Sequence, residues 1–350
     1  ALATVLSLYH APRPAITLSA LVDVGRLFLV YVLFRELAGV GPRGVAAGLL
    51  AVGAAQSALC LLEFGLQHNL GLWEKPGWGG FIFSGATPEA ARLLIARGGG
   101  TFEPNVTAQF LQIVLPFAAA AYLAAAGRAR RLGLFALLAA AALALFVTFS
   151  RGGWLGAAAG LAVLIGGAWL NRKTLGLATG RLTALTAAGA VILVPVVAVI
   201  LARGVGGDQL SATSRLADWK TALAMIRDHP LLGVGKGNFL ALAPLYNPWA
   251  MAYPVHNIYL LFWAEAGLGG LLALVAILLG AFRAAARALA RRTAAEALFG
   301  LAALGAFAGL AIRMFISMSF VHPFVSLTFV ALAATAAGLS RRPGPNSGNE

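Results

Sequence analysis

Three residues in this sequence have side chains suited to holding an anion and moving a proton. They are Arg151 in FSRGGWLG, Arg215 in SRLADWKTALAMIRDHP and His256 in YPVHNIYLLFWAEAGLGG. His256 follows Pro254, a residue that suits a first helical turn, so the imidazole is expected near a helix N-terminus. The positive end of the helix dipole disfavours imidazolium. A ring kept neutral near pH 7 can accept a proton, which is what a general base must do. The alternative is a histidine that caps the helix or bonds an interfacial backbone group. Arg151 falls in a tight hairpin between two apolar runs, where Gly152 and Gly153 permit the turn. A helix is expected from near Trp154, and a guanidinium beside its free N–H groups makes an anion site. The alternative is an arginine that snorkels and only marks the interface. Arg215 is expected to begin an amphipathic helix. Leu216, Trp219, Leu223 and Ile226 recur at helical spacing, Ser214 suits the N-cap and Pro230 ends the run. Trp219, one turn on, would lay this helix on a membrane surface and hold Arg215 near lipid phosphates. The alternative is a solvated surface charge.

Other polar residues read differently. Glu265 is nine residues beyond His256, two and a half helical turns, so the two point opposite ways and Glu265 is expected to pair with another helix. Asp23 and Arg26 can satisfy each other at i, i+3. His10, His68, His229 and His322 are scattered without metal-ligand spacing, so neither a metal site nor a cofactor is expected. GVGKGNF (233–239) lacks the spacing of a phosphate loop and no strand precedes it, so it reads as a flexible glycine turn.

The elements that must carry these residues are apolar blocks. The chain has 350 residues, 60% hydrophobic and 11% charged, where a soluble domain carries about 25% charge. A membrane helix needs about 20 apolar residues. Nine blocks qualify, near 15–36, 44–66, 105–126, 132–149, 154–170, 182–202, 256–282, 293–312 and 323–339. The fold class is therefore an all-α polytopic membrane protein with about nine transmembrane helices. Residues 1–340 read as a single transmembrane domain, and 341–350 as a disordered cytoplasmic tail. The net charge of +14 would point to nucleic acid on a soluble protein; here it fits topogenic loops, and no nucleic-acid partner is expected. Every second connection holds the basic clusters: Arg35 and Arg43; Arg128, Arg130 and Arg131; Arg172, Lys173 and Arg181; Arg283, Arg287, Arg291 and Arg292; Arg341 and Arg342. By the positive-inside rule that side is cytoplasmic. The long connections 67–104 and 203–255 then lie outside, the first with a short helix at Glu89–Ala96 and the second with the amphipathic helix. Arg151, Arg215 and His256 fall on this same outer side, and all three are expected within several ångströms of one another if they line one pocket. Cys60, the one cysteine, cannot form an intrachain disulfide. The chain opens ALATVLSLYH without an initiator Met or a signal-peptide pattern, which is expected of a fragment lacking earlier helices.

FSRGGWLG, SRLADWKTALAMIRDHPLLGVGKGNF and VHNIYLLFWAEAGLGG, in this order between apolar blocks, resemble the O-antigen ligase/polymerase superfamily. GGGTFEPNVTAQFLQIVLP (98–116) is similar to the family's G-T-F…P-N approach to a helix, so the resemblance spans about 98–282. It implies a metal-independent, inverting glycosyltransferase of the bacterial inner membrane with a periplasmic active site. The donor would be a glycan on undecaprenyl diphosphate, the acceptor a glycan or lipid A-core, and the surroundings membrane lipids. The family's essential histidine corresponds to His256 and its two essential arginines to Arg151 and Arg215. The motifs do not separate ligases from polymerases of O-antigen or exopolysaccharide, or from protein O-oligosaccharyltransferases. A non-enzymatic alternative is a polysaccharide or lipid flippase. A flippase would place charged residues inside several helices along a pathway, whereas here the distinctive polar residues gather on one side.

Overall fold

The computed structural model describes residues 1–37, 41–68, 70, 81–83, 94–190, 209–248, 254–291 and 293–341. The apolar blocks become helices: α1 (Leu2–Leu6), α2 (Pro14–Leu37), α3 (Pro42–Leu66), α4 (Pro104–Ala124), α5 (Arg128–Val147) and α6 (Arg151–Leu170). A helical stretch at 179–190, α7, begins the sixth expected block, whose remainder lies outside the described residues. Then come α8 (Gln209–Asp228), α9 (Phe239–Tyr246), α10 (Ile258–Leu289), α11 (Ala294–Arg313) and α12 (Pro323–Arg341). Among the described residues, eight helices are long and apolar enough to cross a membrane: α2 to α6 and α10 to α12. The chain is a multi-pass, helical membrane protein.

A small ribbon interrupts the helices. β1 (Phe81–Phe83) pairs antiparallel with β2 (Leu94–Ala96), Phe81 opposite Ala96. Leu94–Ala96 is thus a strand and not the end of a helix at 89–96; residues 89–93 lie outside the described ones. Pairing with the apolar Phe-Ile-Phe segment gives Leu-Ile-Ala its backbone partners and overrides local helix preference.

The chain divides into two compact units. One comprises Ala1–Leu33, Asp208–Ala281 and Arg313–Ala331; the other comprises Phe34–Gly207, Phe282–Ile312 and Leu332–Glu350. In the second unit α4 packs against α3, α5 and α6 and buries polar as well as apolar side chains, Thr107, Gln109 and Gln112 among them. It is 89% buried over its span, against 22% for α3, so α4 is the core of that unit. α6 and α11 cross where neither has a side chain. Both carry G-x-x-x-G, Gly156/Gly160 and Gly305/Gly309. A Cβ on Gly156 would sit 2.9 Å from the Gly309 carbonyl oxygen, and one on Gly160 2.7 Å from that of Gly305. Lipid provides no hydrophobic drive for helix pairing, so such close backbone approach supplies the contact.

The first unit is organised by a break in α10. Ala266 (φ −120°) and Gly267 (φ 65°, ψ −170°) leave helical geometry. A break at membrane depth frees backbone groups that need new partners. The segment after α8 provides them: Val234 and Gly235 donate N–H groups to the carbonyls of Ala264 and Glu265 (both 2.9 Å), and the Leu268 N–H donates to Pro230 (2.9 Å). A Cβ on Gly267 would meet the Leu231 carbonyl at 2.0 Å.

Candidate functional site

His256 stands two residues before α10, in the first unit. It does not cap the helix. Asn257 does: its Oδ1 accepts the Leu260 N–H at 3.0 Å and its carbonyl accepts the Leu261 N–H at 2.9 Å. Pro254 is accordingly four residues ahead of the helix and not in its first turn. The Ile258 N–H donates to the Met314 carbonyl at 2.9 Å, and the Tyr259 and Phe315 rings lie 4.4 Å apart. These contacts hold the stretch that carries the imidazole.

Two charged residues of α8, Asp218 and Arg215, act on the ring. Its Nδ1 is 3.7 Å from Asp218 Oδ2, with the histidine side chain 24% exposed and the aspartate 6%. Burial, and then the charge of Arg215, lowers the His256 pKa to about 4. The imidazole is therefore neutral near pH 7, the state expected from the sequence. The causes are burial and a neighbouring cation. Burial raises the Asp218 pKa, and the charge of Arg215 opposes that shift.

α8 differs in detail from its expected form. It begins at Gln209, so Ser214 is inside the helix and not its cap, and Arg215 lies in the second turn. Asp218, Thr221, Ala222, Met225 and Ile226 are the buried stripe, while Leu216 and Leu223 are 54% and 51% exposed. Of the expected apolar stripe only Ile226 is buried at the core, because the packed face of α8 takes small and polar groups. Asp218 was missed for this reason. Its signal was its place in the 218, 221, 225 spacing, on a face less bulky than the leucine face.

GVGKGNF is clamped and not flexible. Lys236 Nζ meets Glu265 Oε2 at 2.5 Å and sits 4.4 Å from the centre of the Phe262 ring. Glu265 Oε1 accepts the Phe239 N–H at 3.2 Å. Glu265 thus pairs both with this turn, through Lys236, and with another helix, through the first residue of α9. Asn238 Oδ1 accepts the Arg13 N–H at 3.0 Å, and Asn238 Nδ2 donates to Thr17 at 2.9 Å, tying the start of α2 to the turn. Asp23 and Arg26 do pair, at 3.1 Å, on an exposed face.

Arg151 belongs to the second unit, as the first residue of α6. The turn before it is made by Phe149, in left-handed backbone (φ 50°), and not by Gly152 and Gly153, which are already helical. A non-glycine residue there needs external support. Arg97 donates from Nε to the Thr148 carbonyl at 2.7 Å and from Nη2 to Asn105 Oδ1 at 3.1 Å; the Ser150 hydroxyl donates to the same Asn105 oxygen at 3.0 Å. Trp154 Nε1 donates to the Leu145 carbonyl at 3.0 Å, with its ring stacked on Phe146 at 5.3 Å. Asn105, in the GTFEPN stretch, thereby helps to shape the segment that presents Arg151. Arg313, the last residue of α11, is only 1% exposed.

The structure thus places a neutral imidazole beside a buried carboxylate and an arginine, outside the spans of a multi-pass helical protein. Residues 134–275 match the O-antigen ligase family model, and Arg151, Arg215 and His256 all fall inside the match. The match supports the resemblance to the O-antigen ligase superfamily that the motifs indicate. GGGTFEPN lies ahead of the matched residues. No curated protein matches the chain.

Proposed function

We propose that the protein is an O-antigen ligase-like glycosyltransferase. It moves a glycan from undecaprenyl diphosphate to a sugar hydroxyl of lipid A-core, at the periplasmic face of the bacterial inner membrane. The observation that carries this reading is the neutral, half-buried His256 beside Arg215, within the family match. In the reaction the acceptor oxygen forms a bond to the anomeric carbon, from the face opposite the leaving group. The bond from that carbon to the phosphate oxygen breaks, its electron pair leaves with the lipid diphosphate, and the acceptor's proton passes to His256. The anomeric centre inverts. The lipid diphosphate is a good leaving group once its charge is met, and guanidinium forks meet phosphate oxygens bidentately without a divalent ion. Arg215 takes that role through its place beside His256. Arg151 takes it through its motif and its position at the N-terminus of α6.

The test is transfer by the purified full chain, with an undecaprenyl-diphosphate-linked glycan, lipid A-core acceptor and EDTA. The expected product is glycan-bearing lipid A-core. Elongation of the lipid-linked glycan instead would make the protein a polymerase. Movement of the lipid-linked glycan across liposomes with no new glycosidic bond would make it a flippase and overturn the reading. His256→Ala is expected to lower transfer by about 10²–10⁴-fold, the usual cost of a lost base, while still binding donor. Normal turnover by that variant would remove His256 as the base. Loss of donor binding would make it a binding residue.

A further inference from the structure

Asp218 has no part in the chemistry described so far, yet its placement is costly. Its side chain is 6% exposed, and its Oδ2 has no hydrogen-bond partner among the described residues. A buried acceptor without a donor costs about 1–3 kcal/mol, more when charged. Such a group in a native protein calls for a reason. The only group within ion-pair range of that oxygen, among the described residues, is His256 Nδ1, at 3.7 Å. Rotation of the ring about its broad terminal torsion can shorten this to a hydrogen bond. Contacts of this kind are often long in the free enzyme and tighten in the reacting complex.

Neighbouring residues hold the two partners in place. Asn257 caps α10 immediately after the histidine, and the Ile258 N–H is bonded to Met314. On the other side Thr221, Ala222 and Met225 bury the face of α8 from which Asp218 projects. Arg215, one turn earlier on α8, favours the ionised carboxylate against its burial.

We infer that Asp218 is the positioning residue for His256: its carboxylate accepts the Nδ1–H, so that Nε2 is the nitrogen that takes the acceptor's proton, and steadies the imidazolium that results. The bond balance is that of an ordinary proton transfer. The hydroxyl proton moves to Nε2, the Nδ1–H stays on the ring, and Asp218 is not protonated. The charge that Arg215 and burial make unfavourable on the ring is offset when it forms. This inference rests on the proposed base role of His256.

A double-mutant cycle on the purified full chain tests it, using single-turnover transfer from the undecaprenyl-diphosphate-linked glycan and donor affinity measured separately. Asp218→Asn keeps the shape and removes the charge. It is expected to lower the transfer rate by about 10²–10⁴-fold with donor affinity unchanged, as loss of an orienting carboxylate does elsewhere. In the His256→Ala background the same substitution is expected to cost nothing further, because residues that act as one unit are non-additive. A residue that only supports the fold would cost the same in both backgrounds. Asp218→Asn at the wild-type rate, weakened donor binding, or losses that multiply in the double variant would each overturn the inference. If Asp218→Asn does not yield monodisperse protein, Asp218→Glu carries the test. It keeps the charge but moves the oxygen by one methylene, so slower transfer with intact donor affinity is expected and unchanged transfer overturns the inference. Active His256→Ala would sink the base reading itself. Inactive His256→Ala with fully active Asp218→Asn would sink only the role given to Asp218.

Discussion

At the scale of single residues, the pH profile of the free enzyme should separate His256 from any ordinary imidazole. Its folded pKa is lowered from 6.5 to about 4. The basic, working form therefore persists as pH falls through 6.5, and kcat/KM should stay level there and decline only toward about 4. A decline centred at 6.5 would mean that the base has a solvated environment, and so is not His256 as placed here. The same shift has a stability sign. Between about 4 and 6.5 the unfolded chain binds a proton that the folded site refuses, so this histidine favours folding fully above 6.5 and less as pH drops through that window. The arginines call for another measurement. Arg151→Lys and Arg215→Lys keep the charge but lose the planar fork. Each is expected to slow transfer by about 10²–10³-fold, the cost of one transition-state contact. Near-normal turnover by both would leave them as interfacial anchors. His256 and Arg151 stood out in the sequence as costly residues at the edges of apolar blocks, and Arg215 as a charge at the head of an amphipathic run. Asp218 did not, because a carboxylate on a mixed helix looks solvated until the packed face is known.

At the scale of elements, eight of the nine apolar blocks coincide with helices whose ends agree to within about four residues, except that α10 runs seven residues past its block, since length and apolarity suffice to mark a span. Details set by tertiary contact were not readable. The turn before Arg151 depends on Arg97 and Asn105, which no local pattern links to it. Asn105→Ala should remove the oxygen that accepts from both the Ser150 hydroxyl and one arm of Arg97. A loss of about 1–3 kcal/mol is expected, with activity falling alongside Arg151 function. Thermal unfolding in detergent, with and without donor, checks it; an unchanged midpoint would mean that Phe149 holds its left-handed backbone without this support. The crossing of α6 and α11 gives a sharper case. Gly309→Leu puts a side chain where a Cβ alone would be 2.2 Å from the Gly156 carbonyl. Overpacking costs about 1–3 kcal/mol where the backbone can shift, and more is expected here. Gly280→Leu on α10, with open space around its Cα, is the control and should be tolerated. Equal stability of the two variants would mean that the crossing is looser than its backbone distances require. The G-x-x-x-G pairs were present in the sequence, but which helix each one faces depends on the bundle.

At the scale of the whole molecule, the orientation in the membrane decides whether the chemistry can occur where a lipid-linked glycan is exposed. By the positive-inside rule the basic clusters predict the 171–176 turn on the cytoplasmic side and α8 on the opposite side. Two single-cysteine reporters distinguish the sides: Thr174→Cys in that turn and Ser211→Cys in the first turn of α8. The native background is favourable because Cys60 is 0% exposed and should not react with a bulky, membrane-impermeant maleimide. In intact spheroplasts Ser211→Cys should label at once, and Thr174→Cys only after the membrane is permeabilised. Both variants must first retain transfer, so that labelling reports the working fold. The reverse pattern would place His256, Arg215 and Asp218 at the cytoplasmic face. A glycan already carried to the outer leaflet could not reach them there, and the three residues would need a substrate made on the inner side. Labelling of both sites before permeabilisation would mean that the basic turn is not held inside, and that arginine count does not set the topology of this chain.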